Sequence, residues 1–343
     1  MDAYVRVPLE LDHTVDAVLA VLGGAPLDQV AERAGLAYSE LAAAVAVYQA
    51  AGSAALRAHA DTADAWYQVR IRFTDWADAE TVAATHLHPL VEQAHITDLI
   101  AAWWFIRKAP CWRLRFRLGP ATTIAELRAV IDTHLDGLIV AGHLTSRETS
   151  IYEPEICAFG GPRGMAIAHS LFHADSHAIL DYLRRCRRLG QAEPATGRRE
   201  LSTLLCSALF RAAGQEWHEQ GDIWHRVTGL RPLPADAPTE KIPGMVDGIR
   251  RLMTTRTSPA SPLFGPGQAL AFAAPWHAAF CRQGQRLDDA ARGGCMHRGI
   301  RDVLAHHVIF HWNRLGLPYR AQAFLAHAAH EAVMDLPPAH AAR

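Results

Sequence analysis

Two short runs alternate between apolar and polar residues. In Trp66–Phe73, Tyr67, Val69, Ile71 and Phe73 fall on one face, opposite Trp66, Gln68, Arg70 and Arg72. In Cys111–Leu118, Trp112, Leu114, Phe116 and Leu118 share the apolar face, opposite Arg113, Arg115 and Arg117. A period of two marks a strand with one face buried. Elsewhere the period is helical. Ala79–Ala94, Thr97–Ile106 and Ile124–Leu138 read as helices, and Thr145–Glu155 as extended. From Gly164 on, helices are expected near 165–189, 199–219, 241–256, 268–290, 297–315 and 320–334. Proline- and glycine-rich breaks stand at Gly190–Gly197, Arg231–Pro238 and Ser258–Gly267. Strands first and many helices later predict an α+β class, a small antiparallel sheet with many helices.

Residues 1–60 read as a separate helical module. Val15–Leu22, the stretch opened by Pro26, and Tyr38–Ala51 give three helices, the last stopped by Gly52. The pattern is that of a helix-turn-helix. A reader helix needs basic and amide side chains for phosphates and base edges, and Tyr38–Ala55 holds no Arg or Lys. A packing or peptide-docking role is therefore preferred to DNA binding. Ala60–Ala65 is expected to be a linker, and 64–343 a second domain.

The 343 residues are half hydrophobic and a fifth charged, with a formal net charge of −1. Nothing in that balance points to nucleic acid or an anionic membrane. Six cysteines, at 111, 157, 186, 206, 281 and 295, include no Cys-x-x-Cys pair, so reduced and mostly buried thiols are expected. The N-terminus has no secretory pattern, and no apolar run reaches the ~18 residues that span a bilayer. The expected location is the cytoplasm. No Gly-rich phosphate loop, Schiff-base lysine motif or metal-ligand constellation stands out, so no cofactor and no metal are expected.

Chemistry concentrates first on the polar faces of the two strands. Arg70, Arg72, Arg113 and Arg115 would form one cationic surface if the strands pair, suited to carboxylates and amide carbonyls. A merely solvated sheet face fits the same pattern.

Three motifs add a resemblance. Ile151-Tyr-Glu-Pro-Glu-Ile-Cys-Ala-Phe-Gly-Gly161, followed by Phe172-His-Ala-Asp-Ser176, is similar to the Tyr-Glu-Pro-Glu-x-x-Arg-Tyr-Gly-Gly signature of the C-terminal elimination domain of lantibiotic dehydratases and its thiopeptide-biosynthesis relatives. Trp104-Phe-Ile-Arg-Lys with Pro110-Cys-Trp-Arg-Leu-Arg-Phe116 resembles the same family's arginine strand. His306–Gly316 is similar to its Asn-Arg-Leu motif, with His311, Asn313 and Arg314 together. The landmarks span 104–316. Two positions depart: Ala158 stands where the family's arginine falls, and Ile309 where dehydratases carry the catalytic histidine. In elimination domains the arginines matching Arg113 and Arg115 help handle a glutamyl ester.

The resemblance implies one of two reactions on a modified precursor peptide bearing a leader. One is glutamate elimination, as in a split tRNA-dependent dehydratase. The other is pyridine synthesis, a formal [4+2] aza-cycloaddition between two dehydroalanines with loss of water and leader. Losing two glutamate-handling residues favours the second. Neither reaction requires a cofactor. Asp175, His311, Glu92 and Tyr152 are the candidate catalytic groups. Arg113, Arg115, Arg70, Arg72, Glu153, Ser176, Trp276, Asn313 and Arg314 are the candidate substrate or leader contacts. Trp276 offers an aromatic wall for thiazoles, and 1–60 a second leader site. A non-catalytic peptide-binding scaffold is the rival from another class, and a winged-helix regulator a weaker one. The sequence leaves the oligomeric state open.

Overall fold

The computed structural model describes residues 6–63, 66–189, 197–257 and 262–334. The chain divides into two compact units, Met1–Asp64 and Ala65–Arg343. In the first, α1 (Arg6–Leu22), α2 (Leu27–Ala34) and α3 (Tyr38–Ala63) close on a small core of Ala17, Val18, Val30, Ala31, Leu41 and Val45. Pro26 precedes α2, and Gly35 ends it in the left-handed region (φ 61°), where a Cβ is disfavoured. The third helix does not stop at Gly52. It continues to Ala63, through most of the expected linker, because alanine-rich sequence propagates a helix past one glycine.

The second unit opens with β1 (Trp66–Phe73). A helical stretch follows: α4 (Ala79–Val82), a π-helical turn Ala83–Leu87, and α5 (His88–Ile96). Next come β2 (Ile100–Lys108), β3 (Cys111–Leu118), α6 (Ile124–Val140) and β4 (Leu144–Ser150). The sheet is antiparallel in the order β2-β3-β1-β4. Thr97–Ile106 is thus largely strand, correcting the helical expectation. Trp103 and Trp104 point to opposite faces and both are buried, so the run shows no alternation.

The helices that complete this unit are α7 (Pro162–Arg188), α8 (Arg198–Ala212), α9 (Trp217–Leu230), α10 (Pro243–Thr254), α11 (Ala274–Arg292), α12 (Ile300–Leu315) and α13 (Tyr319–Met334). The helix expected at 199–219 ends at Ala212, and a further helix, α9, runs to Leu230, mostly beyond the expected span. Gly214 takes φ 71°, and α9 restarts behind a capping box of Glu216 and Glu219. Of the cysteines, all free, Cys186 and Cys206 are buried while Cys157 and Cys295 are exposed, fewer buried thiols than expected.

The register sets Gln68 opposite Arg115 and Trp104 opposite Arg115, so these three side chains share a face. The other face packs Tyr67, Val69, Ile71, Trp112, Leu114 and Phe116 into the core. Along the β2 edge runs α7. The Phe105 amide donates to Ser176 Oγ at 3.2 Å, and the Trp103 amide and carbonyl both lie within 3.3 Å of His173 Nδ1. An edge strand's outward backbone groups need such partners when covered.

Candidate active site

The turn before α7 is built for close approach. Gly160 and Gly161 have φ 78° and 97°, and a Cβ at Gly164 would fall 1.8 Å from the Phe159 carbonyl oxygen. This brings Phe159 into full burial against Phe172, His307 and Phe310. It also lays Tyr152 over the middle of the sheet.

There the three sequence landmarks converge on a stack of rings and guanidinium groups. The Arg115 guanidinium carbon lies 4.0 Å from the Trp104 ring centroid and 4.4 Å from that of Tyr152. Trp104 packs on Phe172 at 4.7 Å, and the Arg314 guanidinium carbon lies 4.4 Å beyond the Phe172 ring. Arg115 Nε donates to Gln68 Oε1 at 2.6 Å. Tyr152 Oη lies 2.7 Å from His169 Nε2. Burial draws the Arg115 pKa down to about 10 and raises that of Tyr152, the latter partly offset by Arg115. Burial, with Arg115 and Arg117 nearby, holds His169 at about 3. Arg115 is therefore not part of an open cationic surface, because Tyr152 and α7 cover it. Arg72 and Glu153 are exposed and Arg113 half-buried, while Arg70 makes a loose pair with Glu148 at 3.7 Å.

Behind the stack lies a buried ionic node. Asp175 Oδ1 accepts from Trp276 Nε1 at 2.8 Å and lies 2.9 Å from His311 Nδ1, and Asp175 Oδ2 accepts from Arg314 Nε at 2.7 Å. All four residues are at most 3% exposed. Burial disfavours the Asp175 carboxylate, but His311 and Arg314 outweigh it and hold the pKa below the usual range. Asp175, His311 and Arg314 thus touch one another rather than solvent. Ser176 is spent on the β2 edge, and Asn313 Oδ1 accepts from Gln322 Nε2 at 3.1 Å.

The open space is beside the node. A cleft of about 640 Å³ lies among α5, α7 and the start of α11. Trp103, Phe272 and Trp276 supply aromatic wall, and Glu92, His95, His173, His177 and Asp181 supply groups able to move protons. Arg185, Arg188 and Arg282 also line it. Trp276 joins cleft to node: buried itself, it borders the cleft and donates its N–H to Asp175. His177 Nε2 lies 3.6 Å from Asp181 Oδ2. Asp181 Oδ1 is 2.7 Å from His88 Nε2, and Glu92 is 3.1 Å from His88 Nδ1. Burial raises the Asp181 pKa, yet His88, His177 and Arg184 leave it lowered overall. Burial lowers the His173 pKa. His88, Glu92 and Asp181 gather ligand atoms within 4.8 Å, as a divalent cation would need, but Arg184 NH1 lies 2.9 Å from His88 Nδ1 and already supplies positive charge there.

Of the sequence-derived candidates, the cleft gathers Glu92 and Trp276. The stack holds Tyr152, Arg115 and Arg314, and the node Asp175, His311, Trp276 and Arg314. Arg70, Arg72, Arg113 and Glu153 belong to none of these. His95, His173, His177 and Asp181 escaped the sequence reading. The spacing His173-x-x-x-His177-x-x-x-Asp181 puts three titratable groups on one helix face and was the available signal.

Residues 66–333 match the model of the family described as lantibiotic biosynthesis dehydratase, C-terminal. The chain belongs to that family. Membership associates it with the biosynthesis of modified, ribosomally made peptides. Similar solved structures include MibB, a tRNA-dependent lantibiotic dehydratase from Microbispora sp. 107891, with a TM-score of 0.58 at 22% identity over 80% of this chain. The match spans only 28% of that dehydratase. TsrL gives a TM-score of 0.54 at 16% identity, covering 79% of this chain and 95% of its own. TbtD, a pyridine synthase from thiomuracin biosynthesis, gives 0.55 at 12% identity, covering 80% and 99%. At such identities these three show a shared fold. No curated protein matches the sequence. Among the described residues, no helix is long and apolar enough to cross a membrane.

Proposed function

We propose that this protein is a cofactor-independent pyridine synthase of thiopeptide biosynthesis. It joins two dehydroalanines of a modified linear precursor by a formal [4+2] aza-cycloaddition. Loss of water and of the leader, released as a carboxamide, leaves a pyridine-centred macrocycle. The observation that carries the reading is the pair of departures at Ala158 and Ile309. A partly buried methyl group and a buried aliphatic side chain stand where an eliminating member resembling this chain places arginine and histidine.

The cleft fits the needs of such a reaction. The two alkenes are distant in the linear peptide, and holding them in reactive contact can remove roughly 7–11 kcal/mol of barrier. Phe272, half-buried beside the covered rings of Trp103 and Trp276, receives a flat azole and so helps fix the peptide. An amide must pass to its imidic acid tautomer before the ring closes. His177, oriented by Asp181, with His173 and Glu92 nearby, moves that proton, a role worth about 10²–10⁴-fold. Asp175 acts behind them as a positioning residue, holding Trp276 and His311.

A second reading, glutamate elimination, is favoured by one observation. Arg185, Arg188 and Arg282 line the cleft and are suited to a departing carboxylate. One assay separates the two. The purified protein is incubated with a leader-bearing peptide containing azoles and two dehydroalanines. Mass spectrometry then shows a macrocycle and a leader carboxamide. Release of free glutamate from a glutamylated peptide, with no macrocycle, would establish elimination instead. Binding without mass change would mark a scaffold.

A further inference from the structure

A second groove, of about 850 Å³, lies on another face of α11 among Ala208, Arg211 and Ala212 of α8, Arg256 and Thr257, Phe264–Pro266, and α11 itself. Arg211, Arg256, Arg282 and His277 line it, and among the described residues no carboxylate does. The sequence deepens that imbalance. From Gly248 to Leu287 it holds Arg250, Arg251, Arg256, Arg282 and Arg286 and not one Asp or Glu.

Arg211 is the telling residue. Its NH1 donates to the Met253 carbonyl at 2.7 Å and its NH2 to Thr257 Oγ1 at 2.7 Å, and Thr257 is itself buried. Both acceptors are neutral. Burial lowers the Arg211 pKa, and the Cys281 thiol is the group that opposes this. A half-buried guanidinium whose hydrogen bonds all go to neutral oxygens carries the cost of desolvation without a counter-charge. Two fixed bonds also hold its fork in one orientation. Phe264, stacked 4.5 Å from the His277 ring, gives the groove an apolar wall. Arg282 lines both this groove and the cleft.

We infer that this groove binds an acidic segment of the peptide substrate, with a carboxylate on Arg211 and Arg256 and an apolar neighbour against Phe264. The inference rests on the reading of a peptide substrate, but binding here does not require that any particular reaction follow. Phosphate or another small anion offers the same charge without the apolar contact.

The test is fluorescence anisotropy with a labelled peptide of alternating Glu and Leu, against the same peptide with Gln for Glu, at low salt. The acidic peptide should bind about tenfold or more tightly than its Gln counterpart. Added salt should weaken it. Arg256→Glu, at an exposed position lining only this groove, should reduce binding by a similar factor with the melting temperature unchanged. Arg211→Gln should do the same and Arg211→Lys should recover part of it, each variant checked for folding by circular dichroism. Equal binding of the two peptides would overturn the inference, as would unchanged binding by both Arg256→Glu and Arg211→Gln. So would displacement by millimolar inorganic phosphate at constant ionic strength. Because no turnover is measured, failure of the cyclase reading would leave this result standing, and the reverse.

Discussion

The stack at Arg115–Trp104–Phe172–Arg314 and the cleft at Trp103–His177–Trp276 share α7 and differ in nearly everything else. The stack holds the residues that carry the family signature, and they are buried and engaged with one another. The cleft is lined mostly by residues outside those motifs, His173 being an exception, and its imidazole and carboxylate groups are at least partly exposed above the buried Trp103 and Trp276. Motif residues can therefore mark a fold by the way they hold it, while the groups free to meet a substrate lie one helical turn away. Asp175 and Trp276 join the two regions.

Breaking the node should give the largest effect on stability. Asp175→Ala leaves Arg314 and Trp276 without their acceptor in a dry interior. Loss of one partner of a buried pair costs about 3–5 kcal/mol, measurable by urea unfolding. Arg115→Met strips Gln68 Oε1 of its donor and should cost about 1–3 kcal/mol, with the Trp104 fluorescence altered.

The pH dependence sharpens the same contrast. Burial holds both His169 and His307 at about 3, below the ordinary histidine value. The unfolded chain then binds protons first as pH falls. The stability these rings contribute is full above about pH 6.5 and is lost progressively down to about 3. Each should steepen the fall by up to about 1.4 kcal/mol per pH unit. His307→Phe, whose ring sits between Phe159 and Phe172, should flatten the profile by that amount, as read from unfolding at pH 5 and 7.5. An unchanged slope would mean that His307 is not held neutral. In the cleft, His177→Ala and Glu92→Gln should each change stability by less than about 0.5 kcal/mol.

The sheet was partly legible because β1 and β3 each keep one charged face. β2 was not, since both its faces are covered and Ala101–Ile106 carries no polar residue to mark a period. The helix pattern after Gly164 was largely readable, but α9 was mostly missed: the run expected at 199–219 ends at Ala212, and the helix that restarts at Trp217 continues to Leu230. In the site, Glu92 and Trp276 were reached from sequence. His173, His177 and Asp181 were not, although their spacing on one helix face was there to be read, and nothing local to α5 showed that His95 would meet them across the cleft. Arg115 was named but misplaced. Alternation reveals which face an arginine occupies and says nothing of Tyr152 and His169, which fold back over it.

The central claim is that chemistry sits in the cleft and the stack supports it. Macrocycle formation by His177→Ala, followed by mass spectrometry beside a melting curve of the same sample, tests it most directly. The account predicts turnover reduced by about 10²-fold or more with the melting curve unchanged. Wild-type turnover by a correctly folded His177→Ala would contradict it.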